Sequence, residues 1–276
     1  IGLSIAMVTA FVFYPVGKIL INSLKNDEGD YDFSLFLEKI SSNNIWSLAC
    51  LNSELNCGVA WNSLWMGVLV GVATTVLGLA FALLVTRTRM HAKGFVRTAS
   101  LLPIIPPPFV IGLALILLFG RAGAVNAFLE WAFDITPTRW IYGLTGILVA
   151  QILAFTPIAF LVLIGVVEGV SPSMEEAAQT LRASHWQTFW TVSLPLMRPG
   201  LANAFLLGFI ESLEDFGNPL ILGGNYEVLS TQIFFAIAGA QGDLGMAAVL
   251  AIVLLMFTLS AFYAQRRWLG KNSYAT

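Results

Sequence analysis

The chain has 276 residues, of which 57% are hydrophobic and 11% charged, with a net charge of −2 and a mean hydropathy of +0.80. Soluble domains run nearer ~45–50% apolar and ~25% charged, so an ordinary water-soluble domain and a disordered chain are both excluded. With 14 Lys+Arg against 16 Asp+Glu there is no basic excess, and no nucleic-acid partner is expected. What remains is a polytopic helical membrane protein, provided the apolar residues come in runs of about 20.

Six such runs follow one another. The first is Ile1 to about Leu24, broken only by Lys18. Residues 22–62 then form an acidic loop carrying Asp27, Glu28, Asp30, Asp32, Glu38 and Glu54. Its two cysteines, Cys50 and Cys57, leave two readings open: a disulfide in an oxidising compartment, or two loop thiols. Both histidines, His91 and His185, lie elsewhere, so no metal site is expected. The second run, about Ser63 to Val85, carries Gly67, Gly71 and Gly78 at a spacing suited to close helix packing. The basic stretch Arg87 to Arg97 reads as a topology determinant and a contact for anionic lipid. The third run, Ser100 to Phe119, opens on Leu102-Pro103-Ile104-Ile105-Pro106-Pro107-Pro108-Phe109, whose prolines shape its start. The fourth is Ile141 to Val167.

Residues 168–200 predict a helical hairpin. Ser171 or Ser173 can cap it, Pro172 suits a first turn, and Glu175 and Glu176 favour the positive end of a helix. Ala177 and Ala178 leave one face small. Trp186, Phe189 and Trp190 recur at helical spacing and give the second short helix an apolar face, which Leu194-Pro195 ends. A long loop with structure of its own usually carries a function.

The fifth run starts at Leu201 and holds a polar insertion, Glu211-Ser212-Leu213-Glu214-Asp215. A carboxylate in hydrocarbon costs at least ~2.5–3.5 kcal/mol, so these acids should face a cavity or a partner. Their spacing puts all three on one helical face, and Gly217-Asn218-Pro219 breaks the helix just after. On one reading Glu211, Glu214, Asp215 and Asn218 line a path that a hard cation crosses without tight binding. On the other the acids meet helix ends, a paired subunit or water at the outer mouth. Asn203 reads as packing glue. Gln241-Gly242-Asp243 precedes the sixth run, Leu244 to Ala264.

Charge sets the expected orientation. Nine basic residues (Arg87, Arg89, Lys93, Arg97, Arg182, Arg198, Arg266, Arg267 and Lys271) fall on one side, against Lys25, Lys39, Arg121 and Arg139 on the other. The richer side is the cytoplasmic one, so both termini are expected inside and residues 22–62 in the periplasm. Trp61, Trp65, Trp131 and Trp140 then lie at the outer interface and Trp268 at the inner one. The chain opens on Ile1 inside an apolar run and ends soon after Arg266-Arg267, and it reads as one segment of something longer.

Glu176-Ala177-Ala178, followed at fixed distance by Val192-x-Leu194-Pro195, resembles the EAA loop of the inner-membrane permeases of ABC importers. The resemblance implies a single all-α transmembrane permease domain over 1–276 with the MetI-like fold and six membrane helices. It makes residues 168–200 a cytoplasmic coupling loop that docks on an ATPase. Carried over, Glu176, Ala177 and Ala178 open the motif and Leu194 and Pro195 close it, with Glu175 beside them. Arg182 stands where the motif has the glycine that permits the turn, and an arginine there could meet an acidic edge of the ATPase. The proline-rich opening of run three, the stretch Glu214 to Gly224 and Gln241-Gly242-Asp243 resemble the iron(III)-type branch, in which two permease halves often follow in tandem. This chain looks like the first half. Related branches move thiamine, polyamines, sulfate or phosphonates.

The resemblance implies a cytoplasmic ATPase dimer, a second permease half, a periplasmic substrate-binding protein and membrane lipid as partners. ATP is used by the ATPase, and this chain is expected to bind no cofactor. No Gly-rich loop followed by Lys-Ser/Thr occurs, and no Ser/His/Asp or zinc spacing, so the chain is read as a translocation subunit and not an enzyme. Closure of the ATPase would carry the hairpin with it and switch the path between inward- and outward-facing. The competing class is a secondary transporter or channel with the acids as an ion site, which would have no use for a docking hairpin.

Overall fold

The computed structural model describes residues 2–25, 31–51, 57–88, 90–239 and 242–270, and among them it contains helices and no strand. Arg89, Gln241, Lys271, Asp27, Glu28, Asp30 and Glu54 lie outside the described residues.

Helix α1 covers residues 2–23, with a π-turn at Thr9–Phe13. In the following loop α2 is Phe33–Ile40 and α3 is Asn43–Trp46. Next come α4, Val59–Arg87; α5, Lys93–Leu101; α6, Pro108–Phe119; α7, Ala124–Phe133; and α8, Leu144–Gly169. Then α9 is Pro172–Thr180 and α10 is His185–Glu214, with a π-turn at Phe189–Ser193. The chain closes with α11, Gly217–Leu222; α12, Leu229–Ala238; and α13, Leu244–Gly270.

Five stretches are long and apolar enough to cross a membrane: Val59–Arg87, Pro108–Phe133, Leu144–Gly169, His185–Glu214 and Leu244–Leu269. Within α1 the stretch Ile5–Ile21 is a shorter apolar helix than these five. Two boundaries differ from the sequence reading. The third helix starts at Pro108 and not at Ser100. Pro103, Pro106 and Pro107 cannot donate to a helical ladder, so Leu102–Ile104 is a 3-10 turn and Pro107 is extended before Pro108 takes the first turn. The fifth starts at His185 and not at Leu201: Leu194-Pro195 does not end the short helix. The π-turn carries the chain past Pro195, with the Leu194 N–H reaching back to the Phe189 carbonyl. α12 was not foreseen; at 10 residues it is too short to span.

The chain divides into two compact units, with boundaries inside α4 and α13. Residues 1–65 and 224–260 form one. Its core gathers Ile45, Val59, Ala60, Leu229, Val249, Leu250 and Val253, with the Trp46 ring edge-on to Trp61 and Phe257. Polar caps fasten it: the Leu229 N–H donates to Ser63 Oγ at 2.8 Å, and Asn62 Nδ2 to the Glu227 carbonyl at 2.9 Å. Lys39 Nζ bridges to Asp243 at 3.0 Å, and Cys50 and Cys57 are paired as a disulfide, their Cα atoms 4.8 Å apart.

Residues 66–223 and 261–276 form the other unit. Buried Ala82, Phe160, Leu163, Val167, Met197 and Ala204 make its core. The glycines of α4 permit close approach, as their spacing predicted. A Cβ on Gly78 would stand 2.9 Å from the backbone of Ala159 in α8, and one on Gly208 of α10 would stand 2.5 Å from Thr74 Oγ1. Backbones this close leave no room for a larger side chain.

Candidate functional site

The hairpin of α9 and the start of α10 is held from behind by one arginine. Arg87, in the last turn of α4, sends Nη2 to the carbonyls of Val170 at 3.0 Å and Val167 at 3.3 Å, capping the C-terminal end of α8. The same Nη2 lies 3.3 Å from Glu175 Oε1 in α9, and Ser193 Oγ donates to that carboxylate oxygen at 2.7 Å. Glu175 and Glu176 are therefore not equivalent. Glu175 turns inward to this cluster, whereas Glu176 and Ala177 are exposed and Ala178 is half-buried.

The turn between the two short helices forms without glycine. Arg182 adopts φ +64°, the left-handed region, and is exposed. An L-residue with a Cβ is held there at a cost of ~1–2 kcal/mol. Ser184 then starts α10 with a capping box, accepting from the Gln187 N–H at 3.2 Å while Gln187 Oε1 accepts from the Ser184 N–H at 2.9 Å. The expected caps on α9 are absent: Ser171 makes no side-chain cap and bonds Ser173 Oγ at 2.8 Å instead. Leu181, Trp186 and Trp190 are exposed, and the rings of Trp186, Phe189 and Trp190 pack on one another. Leu194 and Pro195 are half-buried beside the π-turn.

At the far end of α10 the predicted acids part company. The helix ends at Glu214, and Asp215 caps it with an extended backbone (ψ 112°), so Asp215 does not continue the helical face. Its carboxylate accepts instead from Gln151 Nε2 at 3.0 Å, Asn218 Nδ2 at 2.8 Å and the Asn218 N–H at 3.2 Å. Ser212 Oγ closes the network by donating to Gln151 Oε1 at 2.7 Å. Gln151, Ser212 and Asn218 are fully buried, and Asn218 Oδ1 has no hydrogen-bond partner among the described residues. Glu211 and Glu214 stay on the helix, half-buried and exposed respectively, with no ion pair or side-chain hydrogen bond among the described residues. Glu214 and Asp215 line a cleft of about 410 Å³ with Phe109, Phe216 and Ile221.

Two residues here escaped sequence reasoning. Arg87 read as a topology charge, and Gln151 was not singled out within its apolar run. A lone polar side chain in a membrane helix was the signal for Gln151; nothing local singled out Arg87. Outside the spans, burial pushes the Tyr226 hydroxyl up to about 12, and it donates to the Asn62 carbonyl. Burial also raises the Asp243 carboxyl, but the Met246 N–H and Lys39 outweigh it and leave the group below its ordinary 3.8.

Residues 74–268 match the family described as binding-protein-dependent transport system inner membrane component. The ferric transport system permease protein FbpB of Actinobacillus pleuropneumoniae is 50% identical over 99% of this chain and 38% of its own length. A Haemophilus influenzae protein with a provisional ferric-transport permease name is 43% identical over 99% of this chain and 41% of its own length. The chain thus spans about two fifths of these relatives. The molybdenum transport permease ModB of Azotobacter vinelandii is 31% identical over 72% of this chain and 89% of its own length. A crystal structure of a bacterial ABC transporter involved in import of the acidic polysaccharide alginate superposes with TM-score 0.75 at 19% identity, covering 96% of this chain and 92% of that one.

Proposed function

Because the chain belongs to the inner membrane components of binding-protein-dependent transport systems, we propose that it is one permease half of an ABC importer that carries iron(III). The observation that carries the cargo assignment is a 50% identity over 99% of the chain to a ferric permease, in a site whose unpaired groups are the Glu211 and Glu214 carboxylates and the amide oxygen of Asn218. Glu211 and Glu214 offer hard oxygen donors without a competing cation, which suits transient passage of a hard cation. The same two charges would repel an anion. Asp215, held by Gln151 and Asn218, keeps the wall of that path in shape.

The exposed face of the hairpin, with Glu176, Ala177, Leu181, Arg182 and Trp186, docks on a cytoplasmic ATPase dimer. Closure of that dimer moves the hairpin, and α10 carries the movement to its acidic end. A periplasmic binding protein delivers substrate on the side of residues 22–62, where the Cys50–Cys57 bridge fits an oxidising compartment. Both termini are cytoplasmic, a second permease half completes the path, and ATP is bound only by the ATPase. Expression with the candidate ATPase and binding protein tests this: the proteins should co-purify, Glu176→Lys should abolish the complex, and vesicles should take up ferric iron only with ATP. Uptake driven by an ion gradient without ATP would overturn it.

A further inference from the structure

We propose that Arg87 is the positioning residue through which movement of the hairpin reaches the membrane helices, acting on Glu175. The inference rests on the transport reading above and goes beyond it, because Arg87 lies outside the loop that the docking motif defines. Three pieces of chain meet at its guanidinium: α4, which carries it, the end of α8, whose Val167 and Val170 carbonyls it caps, and α9, through Glu175. Glu175 in turn accepts from Ser193, the last residue of the π-turn. One charged contact therefore joins the docking helix to three membrane helices at the level where the hairpin leaves them.

The covalent route is the softer one. Between α9 and the regular part of α10 the chain passes the left-handed Arg182, the π-turn, and Pro195 and Pro199, neither of which can donate a ladder hydrogen bond. Behind the hairpin lies a cleft of about 540 Å³ lined by Leu83, Leu84, Thr188 and Met197 together with Arg87 and Glu175, so α9 is not seated on a solid apolar wall. A push on α9 would bend this segment and be absorbed, unless the Arg87–Glu175 contact transmits it. Arginine fits the task because Nη2 donates to both carbonyls while the charge of the guanidinium, delocalised and permanent, pairs with the carboxylate 3.3 Å away; lysine offers a point charge.

The experiment uses the complete transporter in proteoliposomes and reads iron taken up per ATP hydrolysed, with co-purification as the control for assembly. Arg87→Gln and Glu175→Gln should each keep the complex and lower the ratio about tenfold, through loss of the ion pair. The double variant should be no worse than the poorer single one, because both remove the same contact. Arg87→Lys should fall between wild type and Arg87→Gln. A wild-type ratio in an assembled Arg87→Gln transporter would overturn the proposal, as would losses that multiply in the double variant. If Arg87→Gln does not assemble, Arg87→Lys and Glu175→Gln carry the test, and wild-type ratios in both overturn it. A wild-type chain that binds no ATPase sinks the transport reading instead, so the two failures are distinct.

Discussion

The two ends of α10 treat charge in opposite ways. Near its start Glu175 is answered by Arg87 and by the Ser193 hydroxyl. Near its close Glu211 and Glu214 are answered by no side chain among the described residues, while Asp215, one residue further on, is surrounded by donors. Acids that look alike in sequence thus divide into those that hold the structure and those left open. Where donors saturate a carboxylate, removing it strands them in the interior; where none do, its retention in an apolar run calls for a functional reason.

The largest expected effect breaks the saturated side. Asp215→Ala takes the acceptor from both Asn218 donors and one of two from Gln151 Nε2, which keeps the Ser212 carbonyl, and should destabilise the detergent-solubilised protein by about 2–3 kcal/mol. Thermal unfolding checks this, and an unchanged midpoint would remove the structural role of Asp215. The unpaired side should respond in reverse. Glu211→Gln and Glu214→Gln should leave the midpoint within ~0.5 kcal/mol of wild type and lower ferric iron uptake about tenfold, or ~1.4 kcal/mol in barrier. Full uptake in both would place the path elsewhere.

Smaller effects sharpen the contrast. Arg182→Gly relieves the left-handed strain but adds freedom to the unfolded chain, for a net gain of about 0.5 kcal/mol. Slower amide exchange over residues 178–186 would register it, and a loss of ATPase coupling in the same variant would show that the side chain itself is used. An effect of similar size belongs to a pair near the surface. Asp243 titrates below its ordinary 3.8, so its bond to Lys39 stabilises fully above that value and fades as pH falls through the lower, folded value. With side chains 20% and 42% exposed, Asp243→Asn should cost only about 0.5 kcal/mol at neutral pH, and the difference should shrink as pH falls below 3.8 in a melting series.

The hairpin was legible because its signals are local: a proline at a first turn, small residues in succession and aromatics at helical spacing all act within a few residues. The acids were legible as exceptions in an apolar run, but their division was not. Whether Asp215 points along the helix face or into Gln151 depends on a partner 64 residues away. Arg87 was hidden for the same reason, since Glu175 and the end of α8 lie far along the chain and its charge had a sufficient local explanation in topology. The prolines misled in one place and informed in another. Those before Pro108 did delay a helix, but Pro195 did not stop one, because a π-turn let the neighbouring carbonyls find other donors.

By itself the sequence determined that the chain is helical, which stretches are apolar enough to enter a bilayer and where a helical hairpin interrupts them. Hydrophobic run length and short-range backbone preference depend only on neighbours in the chain. Tertiary structure alone decided which charges are answered. Hydrogen bonds and ion pairs need donor and acceptor within about 3 Å, and only the packing of α4, α8, α9 and α10 brings Arg87 to Glu175 and Gln151 to Asp215 while leaving Glu211 and Glu214 open.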